Sequence, residues 1–184
     1  GEDIKAIKWY ETIYQTCAKL QMVVSCHGCN KPTGETRLYP NVLNREAVLG
    51  NELSVLTADA SVNNMFIRNV IGSTDFTPMV KTKYGDLTVG HEMALAVLYQ
   101  SGLPSMADYA DIYRNELIQD FYKQIPAGFD EMVFLDGELD DYYCAAVRKG
   151  DTWFLAGINS SGASKTVELD TSFLGEGTYN AVIY

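Results

Sequence analysis

The sequence predicts an α/β region followed, from about residue 127, by an antiparallel β-domain. Two observations carry this. First, a helix-patterned segment runs straight into a short apolar strand that empties into a long polar loop. That is the order in which parallel α/β sheets present chemistry at strand C-terminal ends. Second, around Pro126-Ala127-Gly128 the texture changes to short β-type segments separated by turns rich in Gly, Asp and Ser.

Taken in order, residues 3–21 carry Ile4, Ile7, Trp9, Tyr10, Ile13, Tyr14, Cys17, Ala18 and Leu20 at helical spacing, with Asp3 as N-cap. The strand Met22–Cys26 follows at once. A helix leading directly into a buried strand ordinarily has a strand before it, so the chain reads as beginning in mid-domain. Residues 54–64 show no clear period and read as irregular. Phe66–Ile71 reads as a second buried strand, ending in the polar run Gly72-Ser73-Thr74-Asp75-Phe76-Thr77-Pro78. Thr88–Ser101 reads as a helix stopped by Gly102 and Pro104, and Ala107–Lys123 as another. Beyond the boundary, Met132–Leu135, Tyr142–Arg148, Thr152–Ile158, Lys165–Leu169 and Tyr179–Ile183 read as strands of one half of a sandwich. The expected domains are therefore 1–126 and 127–184, the second cut at its end. Trp9 and Trp153 both sit in strongly patterned segments and read as core.

Composition narrows the function classes. A formal net charge of −10 argues against a nucleic-acid backbone as partner, which needs clustered Lys and Arg. No apolar run approaches the ~20 residues of a membrane span, and no signal peptide opens the chain. Four cysteines at irregular spacing do not make a disulfide framework in 184 residues.

The chemistry concentrates in residues 27–52, which hold one histidine, three glycines, two prolines, three cationic side chains and three carboxylates. Six residues of extended chain span roughly 20 Å, and helical positions i and i+6 lie about 120° apart. Glu46 and Glu52 share one ion only if the backbone turns between them, and Gly50 is where it can turn. A hard cation such as calcium takes oxygen ligands from such a pair.

The ordered motifs His27-Gly28-x-x-Lys31-Pro32-Thr33-Gly34-x-x-Arg37-x-Tyr39-Pro40-Asn41, Asn44-Arg45-Glu46-Ala47-Val48-Leu49-Gly50-Asn51-Glu52, Phe66 to Pro78 and His91 to Gly102 resemble glycoside hydrolase family 97. The resemblance runs from about residue 3 to the end. It implies the second half of a catalytic (β/α)8 (TIM) barrel followed by the start of a C-terminal β-domain. It also implies hydrolysis of α-galactosidic or α-glucosidic bonds of oligosaccharides or simpler α-glycosides, a calcium ion in the site, and a periplasmic or secreted location.

By the same resemblance Glu52 matches the acid that protonates the leaving oxygen and touches the ion, and Glu46 matches a carboxylate ligand of the calcium. Family members that invert carry a glutamate directly after the motif histidine, where this chain has Gly28. The resemblance is thus closer to the retaining, α-galactosidase-like branch, whose nucleophilic aspartate ends an earlier strand that this chain is expected to lack. Around residues 60–64 the family more often shows a histidine and a proline, which are absent. His27 is a candidate for a sugar hydroxyl, and Lys31 for a neighbouring oxygen or the nucleophile. Arg37 and Arg45 read as loop braces, His91 as structural, and Asp75 as holding its own turn.

Two other readings compete. One is a non-catalytic sugar-binding or structural fragment; on the half-barrel reading itself, open barrel edges are expected to favour self-association of the chain. The other is a redox or zinc protein built on Cys26-His27-Gly28-Cys29. Against it, Lys31-Pro32-Thr33-Gly34 interrupts the helix such a motif needs, and Cys17 and Cys144 supply no second pair.

Overall fold

A computed structural model describes residues 3–53, 55–78 and 87–184. Helix α1 (Ile4–Lys19) begins where expected, with the Asp3 carboxylate accepting from Ala6 N at 2.8 Å. Its buried stripe is narrow. Tyr14 is fully buried, with Tyr10, Ile13 and Cys17 partly so, against Val24, Val42 and Tyr39. Trp9, expected in the core, is 61% exposed on the outer face beside exposed Ile4 and Ile7. The apolar pattern of α1 is wider than the surface that covers it.

Strand β1 (Val24–Cys26) pairs in parallel with β2 (Val42–Arg45), Cys26 lying opposite Arg45. The one-turn helix α2 (Glu35–Leu38) lies in the connection between them. The ladder continues through single rungs. Arg45 bridges Thr74 in parallel, with Arg45 N donating to Ser73 O at 3.3 Å and Asp75 N to Arg45 O at 3.1 Å. Thr74 N then donates to Gln100 O at 2.8 Å. The Asn44 amide, fully buried, crosses to Ser101 O at 3.1 Å. Four segments, at 24–26, 42–45, 74 and 100, thus lie side by side in chain order.

Two expectations for the connection into the third segment fail. Residues expected to be irregular form helix α3 (Ala58–Phe66), capped by the Thr57 hydroxyl on Ala60 N; Ser54 lies outside the described residues. The expected strand Phe66–Ile71 is instead the end of α3 and a 3-10 turn at Asn69–Ile71. The chain extends only past Gly72, whose φ of 143° suits a glycine. A short apolar run does not distinguish a strand from a buried helix end, and here the Thr57 cap decides it.

Helix α4 (Val89–Leu98) starts as expected at the Thr88 cap and stops before Gly102, because Tyr99 closes it on Leu95 O and Gln100 O turns to accept from Thr74 N. The expected helix Ala107–Lys123 is shorter. A 3-10 turn at Ile112–Arg114 precedes α5 (Glu116–Tyr122), since the Asn115 side chain caps Ile118 N and starts the helix there.

Strands β3 (Glu131–Glu138), β4 (Tyr142–Lys149) and β5 (Thr152–Asn159) form one antiparallel sheet in sequence order, with a bulge between Phe134 and Asp136. Its inner residues Tyr143, Ala145, Val147, Ala156 and Ile158 join one core with Val62 and Met65 of α3, Met93, Leu95 and Leu98 of α4, and Ile118 and Phe121 of α5. The β-sheet and the helices of the α/β region therefore share a core. Truncating fully buried Leu95 to Ala would cost about 2–5 kcal/mol. Residues 165–169 and 179–183, expected as strands, carry no ladder. Side chains hold that tail instead, Lys165 on Asp141 and over the Tyr142 ring, Phe173 on Trp153, and Tyr184 on Phe121. No second sheet facing β3–β5 is present among the described residues. Trp153 is partly buried under that tail.

Candidate active site

The parallel segments at 24–26, 42–45 and 74 point their C-terminal ends the same way, and the polar residues just beyond them meet others that follow Gln100. His27 follows β1, Glu46 follows β2, Asp75 follows the Thr74 rung, and Ser105 lies a few residues past Gln100. The His27 ring is the hub. Its Nδ1 lies 3.0 Å from Asp75 Oδ2, and its Nε2 lies 3.5 Å from Glu46 Oε1 and 3.7 Å from Glu52 Oε1. Asp75 is only 3% exposed, and its other oxygen accepts from Ser105 Oγ at 3.3 Å. Burial would lower the His27 pKa. The hydrogen bond to Asp75 and the charges of Glu46, Asp75 and Glu52 outweigh it and raise the pKa above the ordinary value.

The backbone builds this local geometry. Gly28 adopts φ +63°, which aims its N–H at Glu46 Oε2. Glu46 N donates to Cys26 O at 2.8 Å and lies 3.3 Å from Cys29 Sγ. The reversal between the glutamates differs from expectation. It begins at Ala47, with φ +37°, and finishes in the 3-10 turn Asn51–Leu53. Gly50 serves another purpose: the Glu52 carboxylate folds back over it, where a Cβ would stand 2.8 Å from Oε1. Thr77 Oγ1 donates to Glu52 Oε2 and accepts from Glu52 N at 3.2 Å. Behind the turn, buried Asn51 donates to buried Glu92 of α4.

Two arginines brace the floor. Arg45, 2% exposed, donates to Asn30 O at 2.9 Å and to Glu35 Oε1 at 2.9 Å, and stacks on the Tyr10 ring at 4.5 Å; the brace expected of it is what it does. Arg68 donates to the carbonyls of Arg45, Glu46, Gly72 and Ser73, and so ties the second and third segments together. Arg37 is exposed on α2, and Lys31 is exposed on the loop. His91, read as structural, is half-buried with Nε2 2.7 Å from Ser61 Oγ, and burial lowers its pKa to about 4.

The donor set fits a cation. Ligand atoms of His27, Glu46 and Glu52 lie within 4.8 Å of one another. Calcium–oxygen contacts run about 2.3–2.6 Å, so a cluster of this size is compatible with Glu46 and Glu52 as carboxylate ligands of one such ion. The cysteines do not join this group. All four are free; the Cys29 thiol donates to Cys26 O at 3.2 Å, and Cys26 is buried against the Tyr14 hydroxyl. Asp75, Thr77 and Arg68 are the members that the sequence reading did not assign to the site.

Residues 1–48 match the family model described as glycoside hydrolase 97. Residues 128–184 match the model of the glycosyl-hydrolase 97 C-terminal, oligomerisation region, so the two span more than half of the chain. The chain belongs to glycoside hydrolase family 97. It is similar to the retaining α-galactosidase of Bacteroides thetaiotaomicron, 34% identical over 92% of this chain. It is equally similar to a probable retaining α-galactosidase of Streptomyces bingchenggensis, at 34% over 97% of the chain. The chain spans 28% of the length of each of these relatives. Among solved structures, a β-arabinopyranosidase superposes with a TM-score of 0.78 at 30% identity, over 88% of this chain and 29% of that one. A family 97 enzyme from Pseudoalteromonas sp. strain K8 in complex with panose gives 0.76 over 82% and 26%, and at 22% identity speaks for the fold alone.

Proposed function

We propose that these residues form the acid side of the catalytic centre of a retaining family 97 α-glycosidase acting on α-galactosides. The observation that carries this is the meeting of His27, Glu46 and Glu52 at the C-terminal ends of parallel segments. Segments adjacent in chain order, each separated by helical chain, are the arrangement of a (β/α)8 barrel, whose active sites sit at that end. Residues 3–126 would be its second half.

Glu52 donates a proton to the glycosidic oxygen as the bond to the anomeric carbon breaks, and later takes one from the water that attacks. His27 and Asp75 orient the site, His27 offers Nε2 to a sugar hydroxyl, and exposed Lys31 reaches a neighbouring oxygen. Calcium, held by Glu46 and Glu52, would supply positive charge where the sugar oxygens gather. The nucleophile comes from another segment of the longer protein. Asp75 is a poor substitute, because His27 and Ser105 occupy both of its oxygens.

Gly28 supports retention, since no carboxylate stands at the position from which an inverting member would activate water. A β-L-arabinopyranoside has the ring of an α-D-galactoside without its C6 group, so an arabinopyranosidase and α-galactosidases are compatible with one type of site. A family 97 enzyme from Pseudoalteromonas sp. strain K8 in complex with acarbose, 25% identical to this chain, keeps α-glucosides as the second substrate class. The C-terminal sheet, matched to an oligomerisation region, is the proposed self-association surface, alongside any open barrel edge. A periplasmic or secreted location goes with this reading.

The test is Glu52→Gln in the full-length enzyme. Turnover of alkyl or sugar leaving groups should fall by about 10²–10⁴-fold. Activated aryl α-galactosides, which need little proton assistance, should lose far less. Equal loss on both would refute the acid role, and sugar binding by the wild-type enzyme without turnover would refute catalysis.

A further inference from the structure

Glu52 has two oxygens, and it can act on a glycosidic oxygen only if its carboxyl group is held in one orientation. We propose that Thr77 is the positioning residue that fixes this orientation, holding Oε2 and leaving Oε1 turned toward His27 and Glu46. The inference rests on the reading of Glu52 as the acid.

A threonine hydroxyl has one hydrogen and two lone pairs. Glu52 N–H occupies a lone pair of Thr77 Oγ1 at 3.2 Å, and the single hydroxyl hydrogen goes to Glu52 Oε2. Two bonds to one hydroxyl therefore tie the backbone and the side chain of Glu52 to the same point. Oε1 is left 3.7 Å from His27 Nε2, facing into the cluster. When Glu52 gives its proton to the leaving oxygen, the bond between that oxygen and the anomeric carbon breaks and the leaving oxygen keeps the electron pair. The bond from Thr77 to Oε2 stays in place and strengthens, since it now meets a carboxylate.

Thr77 is itself immobile. It is 6% exposed, between Phe76 (2%), which packs on Tyr99 at 4.6 Å, and buried Pro78. The turn beneath Glu52 is pinned separately through Asn51 and Glu92. Removing the Thr77 hydroxyl should therefore free the carboxylate to rotate and take away the acceptor of Glu52 N–H, while Asn51 and Glu92 still hold the turn.

The experiment compares Thr77→Val, Thr77→Ser and Glu52→Gln in the full-length enzyme on aryl α-galactosides of graded leaving-group pKa, with thermal melts alongside. Thr77→Val should lower kcat on the poorest leaving groups by about 10–100-fold and steepen the leaving-group dependence. KM should stay within about 2-fold and a dinitrophenyl substrate should lose little. Thr77→Ser should restore kcat to within about 3-fold of wild type, because it keeps the hydroxyl. If Thr77→Val does not fold, Thr77→Ala carries the same expectation. A wild-type leaving-group slope in the hydroxyl-free variants, or a loss uniform across leaving groups, overturns the proposal while a steep Glu52→Gln slope leaves the acid assignment standing. A flat Glu52→Gln slope overturns the acid assignment and this inference with it.

Discussion

A β-carbon placed on Gly50 would stand 2.7 Å from Cδ and 2.8 Å from Oε1 of Glu52. The carboxylate occupies the space that a side chain at position 50 would need. Gly50 is not among the residues with positive φ, so alanine fits its backbone. The predicted result of Gly50→Ala is a functional defect without a folding defect. The flexible end of Glu52 is displaced, and turnover of poor leaving groups falls by about 10-fold or more. Stability should stay level or rise by up to about 1 kcal/mol, because alanine narrows the unfolded ensemble. Wild-type kinetics in the folded variant would show that the Glu52 carboxylate works from another position.

His91 predicts a pH dependence of stability. Burial lowers its pKa to about 4 against 6.5 for a free histidine. The unfolded state therefore binds the proton first as pH falls. The stabilisation is complete above about pH 6.5 and is lost progressively down to about pH 4, amounting to about 3 kcal/mol. Denaturant titrations of wild type and His91→Gln at pH 7 and pH 4.5 test it. The variant should lose less stability across that window, and parallel losses would contradict the assignment.

Calcium binding should depend on Glu46. Its Oε1 lies in the cluster with Glu52 and His27, while its Oε2 is held by Gly28 N. Calorimetric titration of calcium into the chelator-treated enzyme should give weaker binding for Glu46→Gln by about 10-fold or more. The wild type should gain thermal stability with added calcium. Unchanged affinity in the variant would remove Glu46 from the ligand set.

Much of this site was legible in the sequence because its parts follow strand ends directly. The apolar run before His27 and the polar residues after Arg45 marked loops of an α/β sheet, and His27, Glu46 and Glu52 do come together. The supports were hidden for physical reasons. Asp75 lies 48 residues from His27, and only folding brings their side chains to 3.0 Å. Arg68 sits in a run that reads as a strand, and its role, holding four carbonyls, has no sequence period. Trp9 belongs to the same apolar pattern as partly buried Tyr10 and buried Tyr14 yet faces outward, because a periodic pattern says which residues are able to face a core and not how much core covers them. Residues 165–169 alternate like a strand but are held through side chains such as Lys165.

The central claim, a retaining centre with Glu52 as acid and then base, is tested most directly by proton NMR of the first sugar released from an α-galactoside by the full-length enzyme. Two displacements with the carboxyl groups about 5–5.5 Å apart return the original configuration. The α-anomer should appear first and then mutarotate. First release of the β-anomer would contradict the account, because it requires a water-activating carboxylate that Gly28 does not supply.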